Sequence, residues 1–290
     1  SNILIYLFSP LLINFMYGVK EDEKLQKIVD EVAKKLNYKG KLKAVITQNF
    51  TLPNAFAYGN FIFGKYVAVS PGMLNLVNEE ELRAVIGHEI GHHMHRDNAI
   101  MLLFGLLPSI IYFLGYFLVR SSLSTSQEEE NRGNLILLGV GIFAMLFSFV
   151  IQVLILAFSR LREYFADLEG AKVNGKEVMQ SSLAKIHYYY TANLDALEEI
   201  DTSTTRALFI YAFAQTLMNP FEDLDSLFSE EGGEEEKEEK KKKEKKVRKV
   251  RVTKEKIEEL KKLETSPLEE FLATHPPIPK RLRFLDTLPF

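Results

Sequence analysis

Residues 78–97 read NEEELRAVIGHEIGHHMHRD, and the spacing inside this stretch decides what is built around it. Asn78 can cap a helix whose first turn holds Glu79, Glu80 and Glu81, acids placed where the helix dipole favours them. The helix is expected to run to about Asp97. On it His88 and His92 stand four residues apart, so their imidazoles lie one above the other on one face. Two nitrogens at that spacing suit a tetrahedral zinc, and Glu89 beside the first histidine can reach a water held by the metal. Gly87 and Gly91 on the same helix each cost about 1 kcal/mol relative to Ala. Spaced four apart they form a smooth strip, which predicts close packing against another element.

A catalytic zinc takes three protein ligands and keeps a fourth position open. The chain has no cysteine, so His, Asp or Glu must supply them. Glu163, in Arg162-Glu163-Tyr164-Phe165-Ala166-Asp167, is the candidate third ligand. Asp167, four residues on, shares its helical face and can accept a hydrogen bond from a ligand histidine. The competing reading of both acids is a solvated face paired with Arg160 and Arg162. His93 points about a quarter turn from His92 and reads as surface or packing. His95 follows on the His88/His92 face one turn further and reads as structural rather than ligating. His187 has no partner that the sequence names.

Outward from the site, residues 99–119 and 135–158 contain no charge and are long enough to cross a bilayer, with a pair of buried core helices as the alternative. Residues 121–133 between them are a turn, so the two helices form a hairpin that returns Glu163 to the His88/His92 helix. At 1.5 Å per residue both His92 and Glu163 would lie roughly 10 Å from the membrane edge. Arg83, Arg96, Arg160, Arg162, Lys172 and Lys176 flank the site side, with Lys20, Lys24 and Lys27, against Arg120 and Arg132 near the turn. That excess makes the site side cytoplasmic.

Residues 3–17 are apolar apart from Ser9, Pro10 and Asn14, but fall short of the roughly 20 residues of a full span. They read as the end of a membrane helix, or else as a buried or interfacial one. Leu25, Ile28, Val29, Val32 and Leu36 make residues 20–36 an amphipathic helix. Short strands are expected at 42–47 and 66–70, with 55–58 a third candidate, punctuated by Gly59, Asn60 and Gly64. Residues 230–246 are almost wholly Glu, Lys and Gly and read as a charged mobile insertion, a Glu/Lys-laced helix being the alternative. An edge strand at 247–252 and an amphipathic segment at 254–263 follow. The net charge of −3 offers no basic face for nucleic acid.

Four segments in order carry a resemblance: Pro53-Asn54-Ala55-Phe56-Ala57, His88-Glu89-Ile90-Gly91-His92, the run from Ser159 and Arg160 through Glu163 to Asp167, and Thr274-His275-Pro276-Pro277 followed by Arg281. Together they are similar to the HtpX family of membrane zinc metalloproteases, relatives of the CAAX prenyl endoproteases. The resemblance implies one zinc per chain, with Glu163 its third ligand beside His88 and His92, and a site facing the cytoplasm. It implies that residues 54–57 form an edge strand able to pair with an extended peptide. It also makes His275 a donor to the developing oxyanion, Asn54 being a weaker candidate, where otherwise His275 would merely cap the final turn. Such proteins have two hydrophobic segments before the catalytic domain, and this chain shows the end of one at most. The charged insertion departs from the family pattern.

The expected fold is predominantly α with a small β-sheet (α+β), a zincin-like metalloprotease domain interrupted by a transmembrane hairpin. Residues 1–17 are membrane-associated, 18–98, 159–229 and 247–290 are parts of the catalytic domain, 99–158 the hairpin and 230–246 the insertion. The expected function is zinc-dependent endopeptidase action on misfolded or membrane proteins, with Glu89 activating the water, in a multi-pass protein of the cytoplasmic membrane. Its partners are a protein or peptide substrate and the lipid bilayer, with no nucleic acid. A prenyl-protein endopeptidase would need more membrane helices, and an idle scaffold keeping zinc for structure would not require Glu89.

Overall fold

A computed structural model describes residues 2–124, 132–193, 252–265 and 275–290. The insertion at 230–246, Thr274, residues 125–131 of the expected turn, and the strand at 247–252 apart from Val252 lie outside the described residues.

The chain opens with α1 (Asn2–Tyr17), β1 (Lys20–Glu21) and α2 (Glu23–Lys35). The amphipathic helix begins later than its apolar spacing suggests, because Lys20 and Glu21 pair with Ile46 and Val45 and Asp22 caps the helix by accepting from Leu25 N. β2 (Lys43–Ile46), β3 (Ala55–Asn60) and β4 (Gly64–Val69) complete a four-stranded sheet in the order β1-β2-β4-β3. β2 runs parallel to β4 and β3 antiparallel to it, so β3 is an edge. α2, α3 (Pro71–Leu76) and α4 (Glu79–Met94) bury Val29, Met73, Ile86 and Ile90 against Val67 and Val69 of β4.

Asn78 and Glu81 form a reciprocal capping box at the start of α4, which satisfies donors that the first turn would leave orphaned. The far end differs from expectation. α4 stops at Met94, Arg96 takes a left-handed φ of 56°, and a new helix, α5 (Asp97–Ser124), begins at once. A non-glycine residue in that region ends a helix run, since its Cβ crowds the following carbonyl.

α6 (Arg132–Asn174) is one unbroken helix of 43 residues, so its polar end continues rigidly from its apolar length. α5 and α6 pack along each other. They approach closely at Gly115 and Gly141, where a Cβ on either would fall 2.7 Å from the other's carbonyl oxygen. Residues 104–123 and 133–174 are long and apolar enough to cross a membrane, and Leu114, Phe117, Phe143 and Phe149 stand exposed on their outer faces.

The smooth strip on α4 receives the polar end of α6. A Cβ at Gly87 would meet Val173 Cγ2 at 2.5 Å, and one at Gly91 would meet the Ala166 Cα at 3.1 Å. This close crossing is what the two glycines permit, and it sets α6 against the histidine face. α7 (Lys176–Ala192), α8 (Lys254–Lys262) and α9 (Ile278–Asp286) then close a second core around Met179, Leu183, Leu260, Leu282 and Leu285. The described chain is thus mostly helical with a small mixed sheet.

Candidate metal centre

On α4 the imidazoles of His88 and His92 meet edge to face, with their Nε2 atoms 3.2 Å apart. The α4–α6 crossing brings Glu163 to them: its Oε2 is 3.8 Å from His88 Nε2 and its Oε1 3.7 Å from His92 Nε2. Around a cation bound at about 2.0–2.1 Å, tetrahedral ligand atoms are separated by about 3.3 Å, close to all three spacings.

The outer sides of the two rings support the same reading. His92 Nδ1 lies 2.7 Å from Asp97 Oδ2, and His88 Nδ1 lies 3.0 Å from Asp167 Oδ1, though off line for a good hydrogen bond. An ionised carboxylate can only accept, so each favours a proton on the Nδ1 beside it. Both Nε2 atoms then present lone pairs to each other and to a carboxylate. Such a buried convergence of acceptors is repulsive by itself and fits a cation; among the described residues this is the one group of three His, Asp or Glu side chains with metal-holding geometry.

Glu89, next along α4, turns toward β3 instead of joining the three. It is buried, and burial pushes its carboxyl up from the usual range against the pull of His88 and His92, while the Ala57 backbone N–H donates to it. The position of Ala57 follows from the strand. Ser70 N donates to Asn54 O at 2.9 Å, so by antiparallel alternation Phe56 and Tyr58 turn their backbone groups to β4, and Ala55 and Ala57 turn theirs outward along the open edge.

Asp167 and Glu163 are not a solvated face: they are 0% and 3% exposed. Their counter-charge is Arg281 on α9. Its Nε and Nη2 grip the two Asp167 oxygens at 2.8 and 2.5 Å, and its Nη1 lies 3.6 Å from Glu163 Oε2. His275, itself exposed, places Nδ1 3.2 Å from Glu163 Oε1. Burial works to raise the Glu163 carboxyl, but the hydrogen bond and charge of His275, then Arg281 and His88, hold it well below the usual range.

His93 is packing: it is buried, its Nε2 lies 2.8 Å from Tyr66 O, and burial lowers its pKa to about 4, so it stays neutral. His95 is 39% exposed in its side chain and faces Glu169 at 3.9 Å, away from the cluster.

Asp97 was missed by sequence reasoning for a physical reason. On a continuous helix a residue five beyond His92 points well off the histidine face. Only the left-handed turn at Arg96 folds it back, and no sequence signal in a single chain announces that turn. Arg281 was quoted in a motif without a role, because nothing local to α9 shows that it reaches α6.

Removing Arg281 strands two buried carboxylates. Arg281→Gln is expected to destabilise the fold by about 3–5 kcal/mol, read as a lower denaturation midpoint of the detergent-solubilised chain. A midpoint equal to the parent's would mean that the guanidinium does not hold this cluster together.

Residues 19–288 match Peptidase family M48. A Protease HtpX homolog of Pyrobaculum calidifontis is 51% identical over 288 residues, covering 99% of this chain and 74% of its own. Another from Archaeoglobus fulgidus is 48% identical over 287 residues, with the same two coverages. The crystal structure of S. mikatae Ste24p aligns with 98% of this chain and 55% of its own at 17% identity and a TM-score of 0.49, so this chain spans about half of that protein, a likeness too remote to add to the fold. A match across nearly the whole chain and relatives half identical to it leave one conclusion: the chain belongs to Peptidase family M48 and is a membrane-associated metalloprotease of the HtpX type, a hydrolase acting on peptide bonds.

Proposed function

We propose that the chain is a zinc endopeptidase anchored in the cytoplasmic membrane, which cuts misfolded or membrane proteins at the cytoplasmic face. The observation that carries this reading is the convergence of His88 Nε2, His92 Nε2 and the Glu163 carboxylate, with Glu89 lying between them and the open edge of β3. Two imidazoles and one carboxylate suit zinc better than magnesium or calcium, which prefer all-oxygen sites. His88, His92 and Glu163 would hold one ion per chain, which when bound supplies a Lewis acid and a water of lowered pKa. Glu89 takes the proton of the attacking water and returns it to the leaving amine. Asp97 and Asp167 keep both Nδ1 atoms protonated, which aims the Nε2 lone pairs inward.

Residues 54–57 serve the substrate. An extended segment pairs with the outward backbone groups of Ala55 and with the Ala57 carbonyl, the Ala57 N–H being held by Glu89, beside Phe56 and Asn54. Main-chain pairing selects chain conformation over sequence. That suits unfolded substrates and a quality-control role. His275, exposed and already seated on Glu163, donates to the developing oxyanion; Asn54, held at the head of β3 through its backbone bonds to Ser70, is the second donor candidate.

In this reading residues 99–158 are a transmembrane hairpin splitting a zincin-like catalytic domain formed by 18–98, 159–229 and 247–290, with 1–17 entering the membrane. The length and apolar character of α5 and α6 support it, as does the Lys/Arg excess on the site side.

Metal removal tests the chemistry. The purified chain in detergent should cleave an unfolded model protein, lose that activity on chelation, and regain it with one equivalent of zinc but not with magnesium. Full activity after exhaustive chelation would sink the proposal. The topology has its own test, because the chain lacks cysteine. Leu123→Cys, 71% exposed at the far end of α5, should react with an impermeant thiol reagent outside intact cells, while Leu263→Cys, 52% exposed in the catalytic part, should be protected. The reverse pattern would put the site outside the cell.

A further inference from the structure

The β3–β4 hairpin ends in Asn60-Phe61-Ile62-Phe63-Gly64, three large apolar residues where a turn facing water favours small or polar ones. Phe61 is 83% exposed and Ile62 52%. Phe8 of α1 touches Phe63, with ring centroids 5.8 Å apart. Phe8, Leu11, Leu12 and Phe15 recur at helical spacing and are all exposed, whereas Ile13 and Tyr17 are buried against the sheet. The tip and the outer face of α1 thus form one apolar surface, and α1 and β3 both pack against α5, the helix that carries the apolar run 104–123.

Part of the polar backbone of this tip, Ile62 N, Phe63 N and Phe63 O, is matched inside the protein. The Asn60 side chain is buried; its Oδ1 accepts from Ile62 N and Phe63 N, both at 2.9 Å, and its Nδ2 donates to Tyr6 O at 3.0 Å and Leu7 O at 2.8 Å. Tyr66 Oη donates to Phe63 O at 3.2 Å. Tyr6 O loses its helix-ladder donor because Pro10, four residues on, has no N–H, and Ser9 Oγ at 2.9 Å and Asn60 Nδ2 donate to it instead. A loop bathed in water could leave all these groups to solvent. A loop lying among acyl chains could not, since each unmatched backbone group there costs several kcal/mol.

We infer that the hairpin tip at Phe61 and Ile62 dips into the lipid headgroup and acyl boundary of the bilayer. With the apolar face of α1 it forms an interfacial anchor that fixes the height and tilt of the catalytic domain. The inference rests on the membrane reading of α5 and α6. Depth is consistent: Asn60 is three residues from Ala57 at the site, about 10 Å along a strand, and Phe104 is seven residues from Asp97, about 10 Å along a helix.

The chain contains no tryptophan, so single tryptophans report depth directly. Phe61→Trp, Leu114→Trp and Phe290→Trp, each at an exposed position, would be reconstituted as full chains in phosphatidylcholine–phosphatidylglycerol vesicles with brominated acyl chains. Phe61→Trp should lose about half of its emission, most strongly with bromine at shallow positions, about 5–10 Å below the boundary. Leu114→Trp, near the middle of the apolar run, should be quenched best by deep bromine, and Phe290→Trp not at all. Ile62→Trp serves as the second reporter and should follow Phe61→Trp. If both tip reporters escape quenching while Leu114→Trp is quenched, the inference is overturned and the membrane reading stands. Red-shifted emission would then mean a tip in water, and blue-shifted emission one covered by a second copy. If Leu114→Trp is also unquenched, the membrane reading itself fails.

Discussion

Glu89→Gln is expected to abolish peptide hydrolysis while leaving the metal in place. The carboxamide keeps the shape of the side chain, and its oxygen can still accept from the Ala57 N–H, so α4 and the edge of β3 should not move. What disappears is a group that can take a proton. Loss of a positioned general base typically costs about 10²- to 10⁴-fold, and the fall should appear in kcat, because substrate pairing along β3 does not use this charge. Metal content should stay at the parent value, since Glu89 lies outside the group formed by His88, His92 and Glu163. Burial raises the Glu89 carboxyl from the usual range, and the substitution removes that titratable group altogether. Measuring kcat together with bound metal separates the outcomes. Near-parental turnover would move the base elsewhere, and loss of metal would make Glu89 a ligand.

What could be read from the chain followed local periodicity. The four-residue spacing of His88 and His92 fixed a shared face, and the Gly87/Gly91 strip foretold a close neighbour, which is the polar end of α6. The charge-free runs bracketed α5 and α6, and the three principal strands lie within a few residues of their apolar segments. The details that escaped depend on relations between distant residues. β1 exists because Lys20 and Glu21 find β2, which overrides the helical spacing that continues into them. The break at Arg96 is a backbone choice that sends α5 off in a new direction and turns Asp97 onto His92, so the spacing of Asp97 along the chain hid its contact. Arg281 lies 114 residues from Asp167, and the pairing becomes visible only when α9 docks on α6. The site was therefore legible where one helix face carries it, and hidden where the fold closes around it.

Glu163→Ala is expected to remove both metal binding and activity, the largest effect of any single change in the cluster. It deletes one of three converging donors, and none of Asp167, His95 and Asp97 is placed to replace it. Both oxygens of Asp167 are gripped by Arg281, His95 faces Glu169, and Asp97 is engaged with His92 on the side away from the centre. Loss of even an outer partner of a ligand typically costs 10- to 100-fold in affinity, and loss of the ligand itself should exceed that. The deletion also unseats His275, whose Nδ1 rests on Glu163 Oε1, and takes one acid from Arg281. A general loss of structure must therefore be told apart from loss of a ligand. Glu163→Gln serves that purpose: it keeps the size and shape of the side chain, its one amide oxygen still accepts from either His275 or Arg281, which face different oxygens of Glu163, and it removes the negative charge that balances a dication. The carboxamide variant should lose less of the denaturation midpoint than the alanine variant in the metal-free state, bind zinc more weakly than the parent, and show little or no turnover. The alanine variant should bind none at stoichiometric zinc. Metal stoichiometry of one with unchanged affinity in Glu163→Ala would mean that another side chain completes the site, and the assignment of the α4–α6 crossing as the metal centre would have to be rebuilt around that residue.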